Sequence, residues 1–97
     1  MLDLKEIRRV IDENRSVLQD KFHVREIGVF GSFVRGEQDE NSDIDILVTF
    51  HEPIGFIKFM QLEFYLSELC KRKVDLVTRE ALKPHIGTHI LKEIQYV

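Results

Sequence analysis

The sequence has a single cysteine, Cys70, so it can form neither an internal disulfide nor a cysteine-based zinc site. No stretch approaches the ~18 apolar residues needed to span a membrane. The opening MLDLKEIRRV lacks an apolar signal core, because charge interrupts it at Asp3, Lys5, Glu6, Arg8 and Arg9. These absences make the cytoplasm the expected location. An excess of positive charge is also missing. Against 17 Asp and Glu stand 14 Lys and Arg, for a net charge of −3 and a pI near 5.8. That argues against a simple basic nucleic-acid binder, and no direct nucleic-acid binding is expected. Repeats, low-complexity tracts and linkers are absent, so residues 1–97 read as one domain. With 43% apolar and 32% charged residues, the composition is that of a soluble globular domain rather than a disordered chain. A domain this short buries only somewhat more than ~60% of its unfolded surface. A partner is therefore expected to contribute to its stability or its site.

What is present begins with Asp3 and Glu6, which form a capping-box pattern. Leu4, Ile7, Ile11 and Leu18 follow at helical spacing and predict a helix to about Asp20. Residues Val24 to Phe30 read as a strand, broken by Gly31. Ser32 is expected to cap a short helix ending near Gly36, with a polar loop from Glu37 to Ser42. From Ile44 to Phe50 the chain is nearly continuously apolar, as in a central strand. Phe56 to Cys70 predicts a helix, Lys73 to Val77 a third strand, and Pro84 the first turn of a last helix with Ile86, Ile90, Leu91 and Ile94 on its apolar stripe. The connection between the first two strands is too short for a parallel crossover, so they should run antiparallel. The third follows a full helix and can be parallel to its neighbour. The expected fold class is α+β, a small mixed sheet of three strands flanked by about four helices.

Three segments carry chemistry. Gly31-Ser32-Phe33-Val34-Arg35-Gly36 follows a strand and opens a helix, where free N–H groups attract phosphate. Gly31 permits close approach, Ser32 adds a hydroxyl and Arg35 a charged fork. A Gly-Ser turn at a helix start is common, so this segment alone does not establish a phosphate site. Asp43-Ile44-Asp45 puts two carboxylates on one face of a strand, at a cost unless a cation sits between them. Oxygen ligands with room for water suit Mg²⁺, although a polar turn entering a strand would look the same. Asp75 sits inside an apolar strand, where an acid needs a partner or a site; an edge-strand acid facing water is the plain alternative. If the third strand neighbours the second, Asp75 joins Asp43 and Asp45. Three carboxylates can then hold two metal ions, one activating a hydroxyl and one holding a triphosphate.

Other candidates read as structural. His85 and His89 share a helix face but lack a third ligand. Lys71, Arg72 and Lys73 read as a solvated charge run. Phe56, Phe59 and Phe64 read as core or partner-interface residues.

Taken together, the run GSFVRGEQDENSDIDILV resembles the nucleotidyltransferase signature of the DNA polymerase β-like superfamily. In particular the chain is similar to the minimal nucleotidyltransferases (MNT) of bacteria and archaea. Lys73 to Val77 is similar to their third-acid strand, and Ile90 to Tyr96 to their C-terminal helix. Val34 stands where many relatives carry Ala, a conservative change. The resemblance implies that Gly31 and Ser32, with Arg35 more weakly, contact the β- and γ-phosphates of ATP. It assigns two Mg²⁺ ions to Asp43, Asp45 and Asp75, which would also be the catalytic acids, with Asp75 as general base. It further implies a partner, a HEPN-domain ribonuclease toxin, to which an antitoxin of this family transfers AMP at a tyrosine hydroxyl. The chain would then work in a hetero-oligomer, or as a homo-oligomer. Two alternatives remain open at this point. One is nucleotidyl transfer to a small molecule such as an aminoglycoside. The other is a non-catalytic antitoxin that masks its toxin by binding.

Overall fold

Helix α1 (Leu4–Glu13) begins at the expected cap, where the Asp3 carboxylate accepts the Glu6 N–H at 2.9 Å. The computed structural model describes residues 2–82 and 84–97, with 84–86 as backbone alone. The helix expected to reach Asp20 instead breaks at Asn14, and α2 runs Arg15–Phe22. Asn14 Nδ2 donates to the Val10 carbonyl at 2.8 Å, and Asn14 Oδ1 accepts from the Tyr65 hydroxyl at 3.3 Å. Such side-chain bonding competes with helix continuation. The break lets both helices face one core, with Ile7, Ile11, Leu18 and Phe22 all buried.

Strands β1 (Val24–Phe30) and β2 (Ile44–Phe50) have the expected bounds and pair antiparallel. Between them lies the four-residue α3 (Ser32–Arg35). After α4 (Gly55–Cys70), strand β3 (Val74–Thr78) begins one residue later than expected and lies parallel to β2. Ile44, Ile46, Leu47 and Val48 are fully buried, as a central strand requires. Helix α4 covers one face through Leu62, Leu66 and Cys70. It also satisfies the outer edge of β3. Glu63 Oε2 accepts the Leu76 N–H at 2.9 Å, and Ser67 Oγ accepts the Val74 N–H at 3.0 Å. The other side of α4 leaves Phe56, Ile57, Met60 and Phe64 exposed. Phe59 instead packs edge-to-face on Phe50.

The sheet has four strands, in the order β3-β2-β1-β4, not three. Helix α5 (Pro84–Glu93) ends at Glu93, and Gln95–Tyr96 form β4 against Gly28 and Val29 of β1. This corrects the expectation that the closing residues are all helical. The cause is room at Gly28, where a Cβ would stand 2.6 Å from Ile94 Cδ1 and 3.3 Å from a Tyr96 ring carbon. Glycine lets the closing segment lie directly on β1. The side chains of His85 and Ile86 fall outside the described residues, and His89 is exposed. Among the described residues no helix is long and apolar enough to cross a membrane.

Gly28→Ala should overpack this seam. An added methyl against Ile94 costs about 1–2 kcal/mol, which in a domain of this size lowers Tm by roughly 5–10 °C. Thermal unfolding followed by circular dichroism checks it.

Candidate active site

The site is built where β1 ends and β2 begins. Gly31 leaves β1 with φ +82°, a left-handed value that glycine adopts without strain. It is itself the N-cap of α3, and Ser32 is the first helical residue with no side-chain capping bond. The expectation that Ser32 caps this helix is thus corrected: its hydroxyl is not spent on capping. Gly36 closes the helix in the left-handed conformation, as expected. Space also demands glycine at position 31, because a Cβ there would overlap Asp45 Oδ2. The antiparallel register sets this contact by placing Phe30 opposite Asp45.

The parallel ladder then places Asp45 directly beside Asp75. Neighbouring strands lie only ~4.8 Å apart, so the two carboxylates share one face at close quarters. Asp43 lies just ahead of β2, and Lys73 Nζ stands 3.8 Å from its Oδ2. Asp75 is exposed and Asp45 half-buried. Burial pushes the Asp45 carboxyl above the usual carboxylate range, and the charges of Asp75 and Asp43 push it the same way. Arg35 draws it partly back. Among the described residues, no group of three or more His, Cys, Asp or Glu side chains closes into a preformed metal cage. The donor chemistry nevertheless fits a hard divalent cation, since carboxylate oxygens surround a repulsion that a cation relieves. Mg²⁺ keeps waters and accepts phosphate oxygens, so it does not require a complete protein cage.

Two further residues shape the site. Arg35 donates through Nε to Glu37 at 2.6 Å and through Nη1 to Glu93 at 2.7 Å. The other oxygen of Glu93 accepts the Gly31 N–H at 2.9 Å. Burial works to raise the Glu93 carboxyl, but the Gly31 N–H and Arg35 outweigh it and hold it below its ordinary value. Arg72 donates to the carbonyls of Asp39 and Ser42 at 2.7 and 3.0 Å and lies over the Phe33 ring at 5.5 Å. It fixes the loop that delivers Asp43, so it does not belong to a solvated charge run. Sequence reasoning missed both residues. Glu93 carried one signal: an acid in the last turn of a helix opposes the helix dipole and calls for a local partner.

A model of the nucleotidyltransferase domain matches residues 7–97. The chain belongs to this family. The nucleotidyltransferase is 48% identical over 97 residues to protein adenylyltransferase MntA of Thermococcus cleftensis, covering 100% of this chain and 98% of that protein. It is 44% identical over 98 residues to a Methanocaldococcus jannaschii protein named, by inference, a protein adenylyltransferase, with both chains fully covered. Among solved structures, one described as a minimal nucleotidyltransferase superposes with a TM-score of 0.82 at 32% identity, covering 97% of this chain and 95% of that one. The same fold occurs in a Shewanella oneidensis complex described as a tri-AMPylated HEPN toxin with an MNT antitoxin. There the TM-score is 0.67 at 20% identity, covering 93% of this chain and 70% of that one. Membership makes the protein an enzyme of the nucleotidyltransferase class, and the mixed sheet is the minimal nucleotidyltransferase fold.

In this nucleotidyltransferase the fold favours the protonated form of Asp45. That contribution is complete below the ordinary carboxylate pKa and is lost as pH rises through the raised value. Asp45→Asn should therefore melt above wild type at pH 7, and the gap should close as the pH falls below ~4. Scanning calorimetry across pH measures both.

Proposed function

We propose that the protein transfers AMP from ATP to a hydroxyl, in the leading case a tyrosine, of a partner HEPN-domain ribonuclease toxin, and thereby acts as its antitoxin in the cytoplasm. The observation that carries this reading is the pairing of Asp45 with Asp75, with Asp43 beside them, against the Gly31–Arg35 segment. In this reading Gly31 lets the triphosphate approach the backbone, while Ser32 and Arg35 donate to its β- and γ-phosphates. Asp43, Asp45 and Asp75 would hold Mg²⁺, which when bound neutralises triphosphate charge and increases the acidity of the acceptor hydroxyl. Asp75, exposed on β3, takes the proton from that hydroxyl. The hydroxyl oxygen bonds to the α-phosphorus as the bond to the β-phosphate oxygen breaks, and pyrophosphate leaves.

The name of the Thermococcus relative and the AMPylated toxin complex support a protein acceptor. So does the architecture. The acids lie at an open surface, where a folded partner can present a side chain without an enclosing pocket. The apolar side of α4, with Phe56, Ile57, Met60 and Phe64 exposed, is more hydrophobic than an isolated monomer needs and suits a protein partner. The same face supports a second reading, neutralisation by binding alone.

Intact-mass spectrometry of the cognate toxin, after incubation with this protein, ATP and Mg²⁺, separates them. A gain of one or more AMP units, reduced at least ~100-fold in rate by Asp43→Ala, is the expected result. A tight complex with no mass gain contradicts transfer and favours binding.

A further inference from the structure

Among the described residues, Glu93 alone bonds both ends of the Gly31–Arg35 segment. One carboxylate oxygen accepts the Gly31 N–H and the other accepts Arg35 Nη1. The two acids on Arg35 are not equivalent. The Glu37 side chain is 63% exposed and that of Glu93 14%. An exposed ion pair contributes little and exchanges readily with water. A carboxylate shielded from solvent and held at both oxygens has few other arrangements, so Glu93 sets where the guanidinium sits. Its own position is fixed from two sides. It ends α5, and the next residues pair with β1 at Gly28 and Val29. Nε and Nη1 are taken, and among the described residues none bonds Arg35 Nη2, which leaves it for an acceptor outside the protein. Gly31, which Glu93 also bonds, lies directly against the Asp45 carboxylate, so the pair is held beside that acid.

We propose that Glu93 is a positioning residue for nucleotide binding, acting through Arg35. It holds the guanidinium beside the acids with one nitrogen open to a phosphate oxygen, and it ties down the turn at Gly31. This rests on the reading of Gly31–Arg35 as the triphosphate cradle. The opposite role, a carboxylate that merely occupies an anion site, predicts the opposite sign. Neutralising it would then tighten nucleotide binding.

Glu93→Gln separates the two roles. The amide keeps an oxygen for the Gly31 N–H but turns an NH₂ toward Arg35, breaking the ion pair with little change in shape. Titration calorimetry with AMP-PNP and Mg²⁺ is performed on wild type, Glu93→Gln, Arg35→Ala and the double variant, each checked for cooperative unfolding. Glu93→Gln should weaken binding by about tenfold in Kd. The double variant should bind no more weakly than Arg35→Ala alone, because the effect passes through Arg35. A purely structural role would make the two losses add, and that result overturns the proposal. So does Glu93→Gln binding as well as wild type, or better. If wild type binds no nucleotide, the cradle reading itself falls and this proposal with it. If wild type binds and Glu93→Gln is unaltered, only the role of Glu93 falls.

Discussion

The parallel pairing of β2 with β3 is the constraint on which the site depends. It sets Asp45 against Asp75, an arrangement that like charges oppose by roughly 0.2–1 kcal/mol at a surface. What holds the register is the opposite face of the same strands. Ile44 and Ile46 of β2 pair with Val74 and Leu76 of β3, and all four are buried. Each such side chain contributes about 1.5–3 kcal/mol when fully buried, so the apolar face outweighs the acidic one several-fold. A slip by one residue would turn every side chain of the strand over, exposing those residues and burying the acids. The core therefore imposes the charge repulsion, and the site holds it in a form that a cation or a proton can relieve.

A second layer joins the end of the chain to its beginning. Gly28 gives the closing segment room to lie on β1, that segment carries Glu93 to Gly31 and Arg35, and Gly31 in turn makes room for Asp45. Arg72 does comparable work on the other side, clamping the loop ahead of Asp43. Asp45 and Asp75 sit on strands, whereas Asp43 sits on a loop and Gly31–Arg35 on a turn and short helix, and these last two are each braced by a residue distant in sequence.

Much of this was legible in the sequence because the signals were local. Strands β1 and β2 are apolar runs closed by Gly31 and by a polar loop, and their bounds agree with expectation. The short link between them required the antiparallel pairing, and the helix before β3 permitted the parallel one. The acids announced themselves by their place in or beside apolar strands. What was not legible depended on tertiary contact. Asn14 is an unremarkable residue within a helical pattern until the Tyr65 hydroxyl reaches it from α4. Two residues, Gln95 and Tyr96, are too few to show strand alternation, and only the space above Gly28 makes them a strand. Glu93 and Arg72 are ordinary charges by composition, and their partners lie at least 58 and 30 residues away.

In the proposed function Asp45 and Asp75 act as one cation site because the β2–β3 register places them side by side. Electron paramagnetic resonance of Mn²⁺ with AMP-PNP tests it most directly, by comparing wild type with Asp45→Asn and Asp75→Asn. The expected result is nucleotide-dependent Mn²⁺ binding in wild type and a loss of comparable size in each variant. Binding that survives in Asp75→Asn at the wild-type level would contradict it.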